Sequence, residues 1–280
     1  MICENLGINE QGHLTFGGFD TVELTKKYST ALYVMDEERI RANMGTYIGA
    51  MKKYFGEKSL PLYASKAASF KRIYTIAKEE GMGIDVVSSG EIYTAKCAGF
   101  PLSMAYFHSN NKTDEDVEFA IENGVGYFVA DNFEEVDAID FFAKKHGICQ
   151  KILLRLTPGI DPHTYEAVAT GKVDSKFGSA TETGAAEKIC RYALGKENIE
   201  LVGFHCHVGS QVFDSEVYLA AAEIMFKFIA DMKNKYGYTA KELNLGGGYG
   251  VRYTENDPII DIAENIKLVS EKTKEMAKRL

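Results

Sequence analysis

The fold is decided by residues 60–97, which read LPLYASKAASFKRIYTIAKEEGMGIDVVSSGEIYTAKC. Two short β-rich apolar runs, Leu60–Ala64 and Gly83–Val87, enclose a longer segment whose apolar residues recur at helical spacing. Strands that alternate with helices in this way are typical of βα units, in which the strands lie parallel to one another. The stretch therefore predicts an α/β fold built around a parallel sheet.

The same alternation extends in both directions from this stretch. The other predicted strands are Ala31–Met35, Met104–His108, Gly126–Ala130, Lys151–Leu156, Leu201–His205 and Glu242–Leu245. The first follows a Gly- and Thr-rich region and precedes a helix predicted at residues 37–55, so we place it outside the barrel. From Leu60 onward there are seven βα units, the last ending in the amphipathic stretch 259–280. We predict that residues 37–280 form a TIM-type (β/α)8 barrel that lacks its eighth strand, after a separate N-terminal segment, residues 1–36.

Composition limits the possible functions. Hydrophobic residues make up 45% of the 280 residues, which is enough for one substantial core. The net charge of -8 comes from mixed charges without a basic stripe, so we expect no nucleic-acid partner. No window approaches the roughly 18 apolar residues of a membrane span, and the first residues show no export signal. The five cysteines form no C-x-x-C pair, which favours a reducing, cytoplasmic environment over a disulfide framework.

Lys66 is the first candidate for chemistry. It follows a predicted strand and has the same parity as Leu62 and Ala64, so its side chain is expected at the carboxyl end of that strand. In a barrel that end is the mouth, where active sites lie. An amine beside a small residue can be desolvated, lose its proton and form a Schiff base with an aldehyde. For this segment alone, a solvated surface lysine is the alternative.

A second candidate group is the pair His205 and His207 in the run GFHCHVGSQ. Their spacing of two places both imidazoles on one face at the end of a strand. Zinc is disfavoured because no H-E-x-x-H or C-x-x-C group accompanies them, and we predict no metal site. Two alternatives stay open, namely an aromatic contact with a flat cofactor ring and a hydrogen-bonded pair in a polar barrel end.

Three consecutive glycines, Gly246, Gly247 and Gly248, follow the last predicted strand. Such a run lets backbone amides approach an anion without Cβ atoms in the way, and barrel phosphate sites commonly use the loops after the last strands. Ser210 is a further hydroxyl donor for such a site. A tight strand-to-helix turn is the structural alternative.

Charged residues accompany two other strands. Arg155 lies inside an apolar strand, and because an unpaired buried guanidinium is costly we expect an anionic or stacked partner for it at the mouth. Asp85 and Glu91 bracket the strand Gly83–Val87, and capping of the following helix is the default role of Glu91. The connection at 157–178 is too polar and too rich in Gly and Pro for one helix, and its length indicates a functional loop.

Together these segments resemble the fold-type III pyridoxal-phosphate enzymes, the family of alanine racemase and several amino-acid decarboxylases. The matching pieces are YASKA at 63–67, GIDVVSSGE at 83–91, FHSNNK at 107–112, RLTPGID at 155–161, SKFG at 175–178, GFHCHVGSQ at 203–211 and LNLGGGYG at 243–250. Each piece alone has low specificity. All of them in the family's order, along nearly the whole chain, identify the chain as similar to this family.

The resemblance implies pyridoxal 5'-phosphate as the cofactor and a set of residues that bind it. These residues are Lys66, Asp85, Arg155, His207, Ser210, Gly246, Gly247 and Gly248. Lys66 is implied to form a Schiff base with the cofactor and later to move protons at the substrate α-carbon. His207 is implied to stack on the pyridine ring, whereas Ser210 and the glycines hold the phosphate. Asp85 and Arg155 are implied to support the pocket.

Within the family the resemblance is greatest to the diaminopimelate decarboxylases, through GIDPHTYEAVATGKVDSKFG at 159–178 and the double histidine. It implies decarboxylation of the amino acid meso-2,6-diaminopimelate to L-lysine, the last step of lysine biosynthesis, by a homodimer with shared active sites. Decarboxylation of arginine, ornithine or carboxynorspermidine is the second hypothesis. A non-catalytic regulator or carrier that binds pyridoxal phosphate is the third.

One departure from the family pattern stands out. The E-P-G-R run of the eighth strand, whose glutamate pairs with the pyridinium nitrogen in the family, does not occur in these 280 residues. Neither does the C-terminal β-domain against which the family's N-terminal segment packs. We therefore expect residues 1–280 alone to be inactive. Release of CO2 from diaminopimelate at the rate of the full-length gene product would contradict this expectation.

Overall fold

The computed structural model describes residues 3–160, 171 and 176–280. A small antiparallel sheet lies near the N-terminus and is followed by two helices. These elements are β1 (Leu6–Ile8), β2 (Leu14–Phe16), β3 (Phe19–Asp20), α1 (Thr21–Tyr28) and α2 (Glu37–Phe55). The helix predicted at residues 37–55 is confirmed, whereas the division of the chain after residue 36 stays a prediction.

Strands and helices then alternate along the chain. The strands are β4 (Leu62–Ala64), β5 (Gly83–Val86), β6 (Ala105–Phe107), β7 (Tyr127–Ala130), β8 (Gln150–Thr157), β9 (Ser179–Ala180), β10 (Ile199–His205) and β11 (Glu242–Asn244). The helices are α3 (Lys71–Glu80), α4 (Ser89–Cys97), α5 (Asp114–Glu122), α6 (Phe133–Lys145), α7 (Ala185–Leu194), α8 (Ser215–Tyr236) and α9 (Ile262–Arg279). Every strand predicted from Leu60 onward is present, with its ends shifted by at most two residues.

The strands form one parallel sheet in the order β11-β10-β8-β7-β6-β5-β4, and β9 pairs with the end of β8. Apart from β9, strands that are neighbours in the sheet are also neighbours in sequence, as in a TIM-type barrel. Among the described residues, β4 and β11 have no further partner and form the two edges. The predicted fold class is confirmed, with seven parallel strands in an open barrel.

Alternate residues of each strand face either the helices or the barrel interior. On β8, Ile152 and Leu154 belong to the large apolar core between sheet and helices, whereas Leu153 joins a small interior cluster with Tyr106. Arg155 has the parity of Leu153 and therefore points into the barrel. The barrel interior is thus apolar toward the amino ends of the strands and becomes polar toward their carboxyl ends.

One predicted strand is wrong. Residues Ala31–Met35 form neither strand nor helix and connect α1 to α2. Leu32, Tyr33, Val34 and Met35 are all exposed, and none of the described strands pairs with them. A β-rich apolar run forms a strand only where a neighbour completes its backbone hydrogen bonds, and the described part of the chain offers none here.

Candidate active site

Polar side chains gather at the carboxyl ends of the strands. In a parallel barrel these ends share one rim, the mouth. The residues at or just after the strand ends are Lys66, Asp85, His108, Asp131, Arg155, His205 and His207. Ala64 at the end of β4 is in register with Asp85, and Arg155 is in register with His205. The structure therefore brings the predicted residues of four strands to one end of the barrel.

Lys66 lies in a single 3-10 turn, Ser65–Ala67, directly after β4. The residue is exposed, so the expected desolvation of its amine is not seen. Burial lowers the pKa of both His205 and His207, and the charge of Lys66 adds to this effect. The amine thus lies within electrostatic range of both imidazoles and is accessible to an incoming aldehyde.

Asp85, His108 and His205 form a polar cluster across three strands, in which the two histidines are buried and the aspartate is partly buried. Asp85 Oδ1 lies 3.0 Å from His108 Nε2, and the rings of His108 and His205 meet edge to face with their centroids 4.6 Å apart. These two atoms and His205 Nδ1 are shielded from solvent, yet none completes a well-angled hydrogen bond within the described part of the chain. Since buried polar atoms rarely stay unpaired, the cluster has the capacity to bind a polar ligand.

Arg155 is buried and has both kinds of partner that the sequence predicted. Its Cζ atom lies 4.1 Å from the centroid of the Phe177 ring, and its Nη1 lies 3.9 Å from Asp131 Oδ1. Asp131 also accepts a hydrogen bond of 3.0 Å from the Gly178 amide. Burial lowers the pKa of Arg155, and the Asp131 carboxylate opposes that effect. These contacts attach the segment around Phe177 to the mouth.

A buried ion pair between Lys112 and Glu135 lies next to Asp131. Lys112 Nζ donates to Glu135 Oε2 at 2.9 Å and to the carbonyl oxygens of Ser109 and Val129 at 2.8 and 2.9 Å. Glu135 Oε2 also accepts a hydrogen bond of 2.9 Å from the Asp131 amide. The Lys112 side chain is 0% exposed, and burial lowers its pKa. The pair joins the loop after β6 to the start of α6 and holds the backbone of Asp131.

His207 packs against the glycine turn, which we define as Gly246–Gly248. Gly246 and Gly248 have positive φ angles of 73° and 89°. A Cβ atom on Gly246 would lie 2.8 Å from His207 Nδ1, and one on Gly248 would lie 3.1 Å from His207 Cε1. Burial lowers the pKa of His207 to about 3, so the imidazole is neutral at physiological pH. Ser210 is exposed on the same loop as His207.

The glycine turn also presents unused backbone donors. The Gly246 amide donates to Asn244 Oδ1 at 2.8 Å, and the Gly248 carbonyl accepts a hydrogen bond of 3.0 Å from the Val212 amide. The amides of Gly247 and Gly248, in contrast, donate to no acceptor among the described residues. Consecutive free amides of this kind form a cradle for an anion.

Substitution of Gly248 by alanine tests how tightly this turn is constrained. The new Cβ would lie 1.9 Å from the Gly209 carbonyl oxygen, at a φ that disfavours alanine. We expect the free energy of unfolding to fall by about 2–3 kcal/mol in urea titrations, from the combination of strain and overpacking. Gly247→Ala is the matched control, because its Cβ would meet nothing within 4 Å, and it should change stability by less than about 0.5 kcal/mol. Equal losses in the two variants would contradict the packing described here.

Outside the mouth, the described part of the chain has few clusters of side chains that could bind a metal ion. In the described ranges, the only three side chains close enough to share a metal ion are Glu118, Glu122 and His146, on the outer surface at α5 and after α6. His205 and His207 do not belong to such a group. All five cysteines are free thiols. None of the helices in the described part of the chain has the length and apolar character needed to span a bilayer.

Three residues of the mouth were missed by sequence reasoning as members of the site. His108 and Asp131 extend the inward-facing parity of Tyr106 and Val129, so strand parity was the signal that could have found them. Lys112 carried no such signal, because the carboxylate that neutralises it lies 23 residues further along the chain.

Residues 161–170 and 172–175 lie outside the described residues. They contain most of the segment 159–178, which carries part of the resemblance stated above. Within this region, the Ile160 amide donates to the Gly171 carbonyl at 2.8 Å. The functional role of the loop stays a prediction.

Comparison with protein families matches residues 41–280 to the pyridoxal-dependent decarboxylases, specifically to their pyridoxal binding domain. The chain belongs to this family. The predicted cofactor class and the predicted family are thereby confirmed.

The predicted similarity to diaminopimelate decarboxylases is also confirmed. The diaminopimelate decarboxylase of Bacillus methanolicus is 43% identical over 267 residues, which are 95% of this chain and 62% of that protein. The one of Bacillus subtilis is 42% identical over 271 residues, 97% of this chain and 62% of that protein. The crystal structure of diaminopimelate decarboxylase from M. jannaschii in complex with L-lysine matches with a TM-score of 0.87 at 32% identity, covering 99% of this chain and 63% of that one. The chain therefore spans less than two thirds of the length of these relatives.

Proposed function

We propose that the complete protein is a pyridoxal-phosphate-dependent decarboxylase that converts meso-2,6-diaminopimelate to L-lysine and CO2. One observation carries the proposal. An accessible lysine, a neutral imidazole and a glycine turn, two of whose amides have no acceptor among the described residues, lie at the mouth of a barrel that is 43% identical to a diaminopimelate decarboxylase. The lysine complex of the M. jannaschii enzyme supports the proposed product.

The residues at the mouth fit pyridoxal phosphate. Its phosphate is an anion, and the glycine turn offers two amides without an acceptor among the described residues. Its aldehyde requires an amine, which Lys66 presents in an exposed position. Its flat ring requires a flat neighbour without charge, which His207 supplies. The polar groups of the ring can pair with the unsatisfied buried atoms of Asp85, His108 and His205.

When bound, the cofactor supplies an electron sink for the charge left on the substrate α-carbon after CO2 departs. Lys66 would be the amine that attaches the cofactor, and it would be the group that moves a proton to or from the substrate α-carbon. His207 would pack against the cofactor ring, and Ser210 and the glycine turn would hold its phosphate. Asp85 and Arg155 provide the charged surroundings that keep the pocket polar.

We also propose that the protein acts as a cytoplasmic homodimer in lysine biosynthesis, with active sites shared between subunits. The free cysteines suit a reducing compartment. The mouth is bounded by unpaired edges at β4 and β11 in the described part of the chain, so groups from outside this barrel have access to it. Sedimentation of the complete protein at the mass of a monomer would contradict the proposed assembly.

The substrate is tested by measuring CO2 release by the complete gene product from meso-diaminopimelate, arginine, ornithine and carboxynorspermidine. We expect kcat/KM for diaminopimelate to exceed the other three values by at least about 100-fold, because a site that binds a second polar end rejects ligands without the right groups. A higher value for any other substrate would overturn the assignment. No release from any of them would favour a regulator or carrier.

The buried imidazoles also predict a dependence of stability on pH. The pKa of His207 falls from 6.5 to about 3 in the folded protein. Between these values the unfolded chain binds a proton that the folded chain does not, so the free energy of unfolding decreases as the pH falls through this window, by at most about 1.4 kcal/mol per pH unit. His207→Gln should make this slope smaller between pH 4 and pH 6 in urea titrations, while His205, whose pKa burial also lowers, continues to contribute to it. Above pH 7 the difference between the two proteins should be constant, and an unchanged slope below it would contradict the prediction.

A further inference from the structure

Tyr218 connects helix α8 to the glycine turn. The residue lies in the first turn of α8, is 3% exposed, and packs against Tyr249 with ring centroids 4.5 Å apart and ring planes tilted by 33°. Its hydroxyl donates to the Gly247 carbonyl oxygen across 3.4 Å. A buried tyrosine hydroxyl needs a hydrogen-bond partner, and here that partner is a backbone carbonyl of the turn.

This contact determines which way one amide of the turn points. In a trans peptide the carbonyl of Gly247 and the N–H of Gly248 point in opposite directions. Tyr218 belongs to the apolar core on the helix side of the sheet, so the carbonyl that it holds faces the helices. The Gly248 N–H therefore faces away from α8, and it has no acceptor among the described residues. The Val212 amide holds the next carbonyl, that of Gly248, at 3.0 Å.

We propose that Tyr218 is a positioning residue for the phosphate of the cofactor, through its hold on the Gly247–Gly248 peptide. This inference depends on the proposed function, since it takes the glycine turn as the phosphate site. Tyr218 itself does not touch the ligand. Its hydroxyl keeps one amide of the turn directed at the anion before the anion arrives, which reduces the ordering cost of binding.

The test compares two ligands that differ only in the phosphate. Dissociation constants of pyridoxal 5'-phosphate and of pyridoxal are measured by equilibrium dialysis for the apo form of the complete protein and for Tyr218→Phe. We expect the variant to bind pyridoxal phosphate roughly 3- to 10-fold more weakly, the effect of one hydrogen bond, and to bind pyridoxal as the parent does. The ratio of the two constants is independent of the fraction of folded protein, so partial unfolding does not obscure the result.

Tyr47→Phe is the matched control, because it removes a hydroxyl from the same aromatic cluster, in which the ring centroids of Tyr47 and Tyr249 lie 6.3 Å apart. Its ratio should equal that of the parent. An unchanged ratio in Tyr218→Phe, or an equal change in Tyr47→Phe, would overturn the inference. Failure of the parent to bind either ligand would instead overturn the proposed function, and this inference with it.

Discussion

Replacing Lys66 with alanine is expected to abolish covalent attachment of pyridoxal phosphate. It is also expected to lower the rate of CO2 release by about 100- to 10,000-fold, the range typical for loss of a side chain that transfers a proton in the reaction. We expect this loss because of where Lys66 lies. Lys66 is exposed in the turn after β4, at the mouth where the glycine turn and the imidazole of His207 meet. Reduction with borohydride followed by peptide mapping measures the attachment directly.

The control for this prediction is Lys71→Ala. Lys71 is an exposed lysine at the first position of α3, five residues after Lys66 and on the helix rather than in the turn that follows β4. It should keep the rate and the label of the parent. A borohydride-stable label on any lysine other than Lys66 would contradict the assignment, whatever the rates.

Glu135→Ala is expected to lower the free energy of unfolding by about 3–5 kcal/mol, because it leaves a buried ammonium without its counter-charge. The Lys112 side chain is 0% exposed and is paired with Glu135 at 2.9 Å. The substitution also removes the acceptor of the Asp131 amide, which has to find another partner or stay unpaired in a buried position. Urea or thermal unfolding, followed by circular dichroism, measures the loss.

Two further variants separate charge burial from simple loss of contact. Glu118→Ala removes an ion pair with Lys145 on the surface, where side chains are 27% and 53% exposed, and should cost less than about 1 kcal/mol. Lys112→Met combined with Glu135→Leu removes both charges and should recover most of the stability lost in Glu135→Ala. A double variant as unstable as the single one would show that the shape of the pair, rather than its charge, is what matters.

Sequence periodicity predicted the barrel strands well because most of them are largely buried on both faces. The run Lys151–Leu156 is largely apolar and is followed by Pro158 and Gly159, and its observed span differs by one residue at each end. The same criteria failed at Ala31–Met35. A local pattern cannot show whether a neighbouring strand exists, and none of the described strands pairs with this run.

For the candidate site, the sequence was informative where a charged residue lies in a segment predicted to be buried, because burying a charge without a partner costs free energy. Arg155 inside an apolar strand demanded partners, and the structure supplies Phe177 and Asp131. The sequence was uninformative where the partner is distant. Nothing local shows that Tyr218 reaches Gly247, which lies 29 residues further along the chain.

By itself the sequence determined the parallel βα architecture, the position of Lys66 after the first barrel strand and the family to which the chain belongs, because these depend on local periodicity and on motifs in a fixed order. Only the tertiary structure decided how the buried charges are paired, that His207 is neutral, and which amides of the glycine turn stay available. Those properties depend on desolvation and on contacts between strand ends that are far apart in sequence. The parallel packing of the strands brings these strand ends to one rim, and the local sequence does not specify the distances that result.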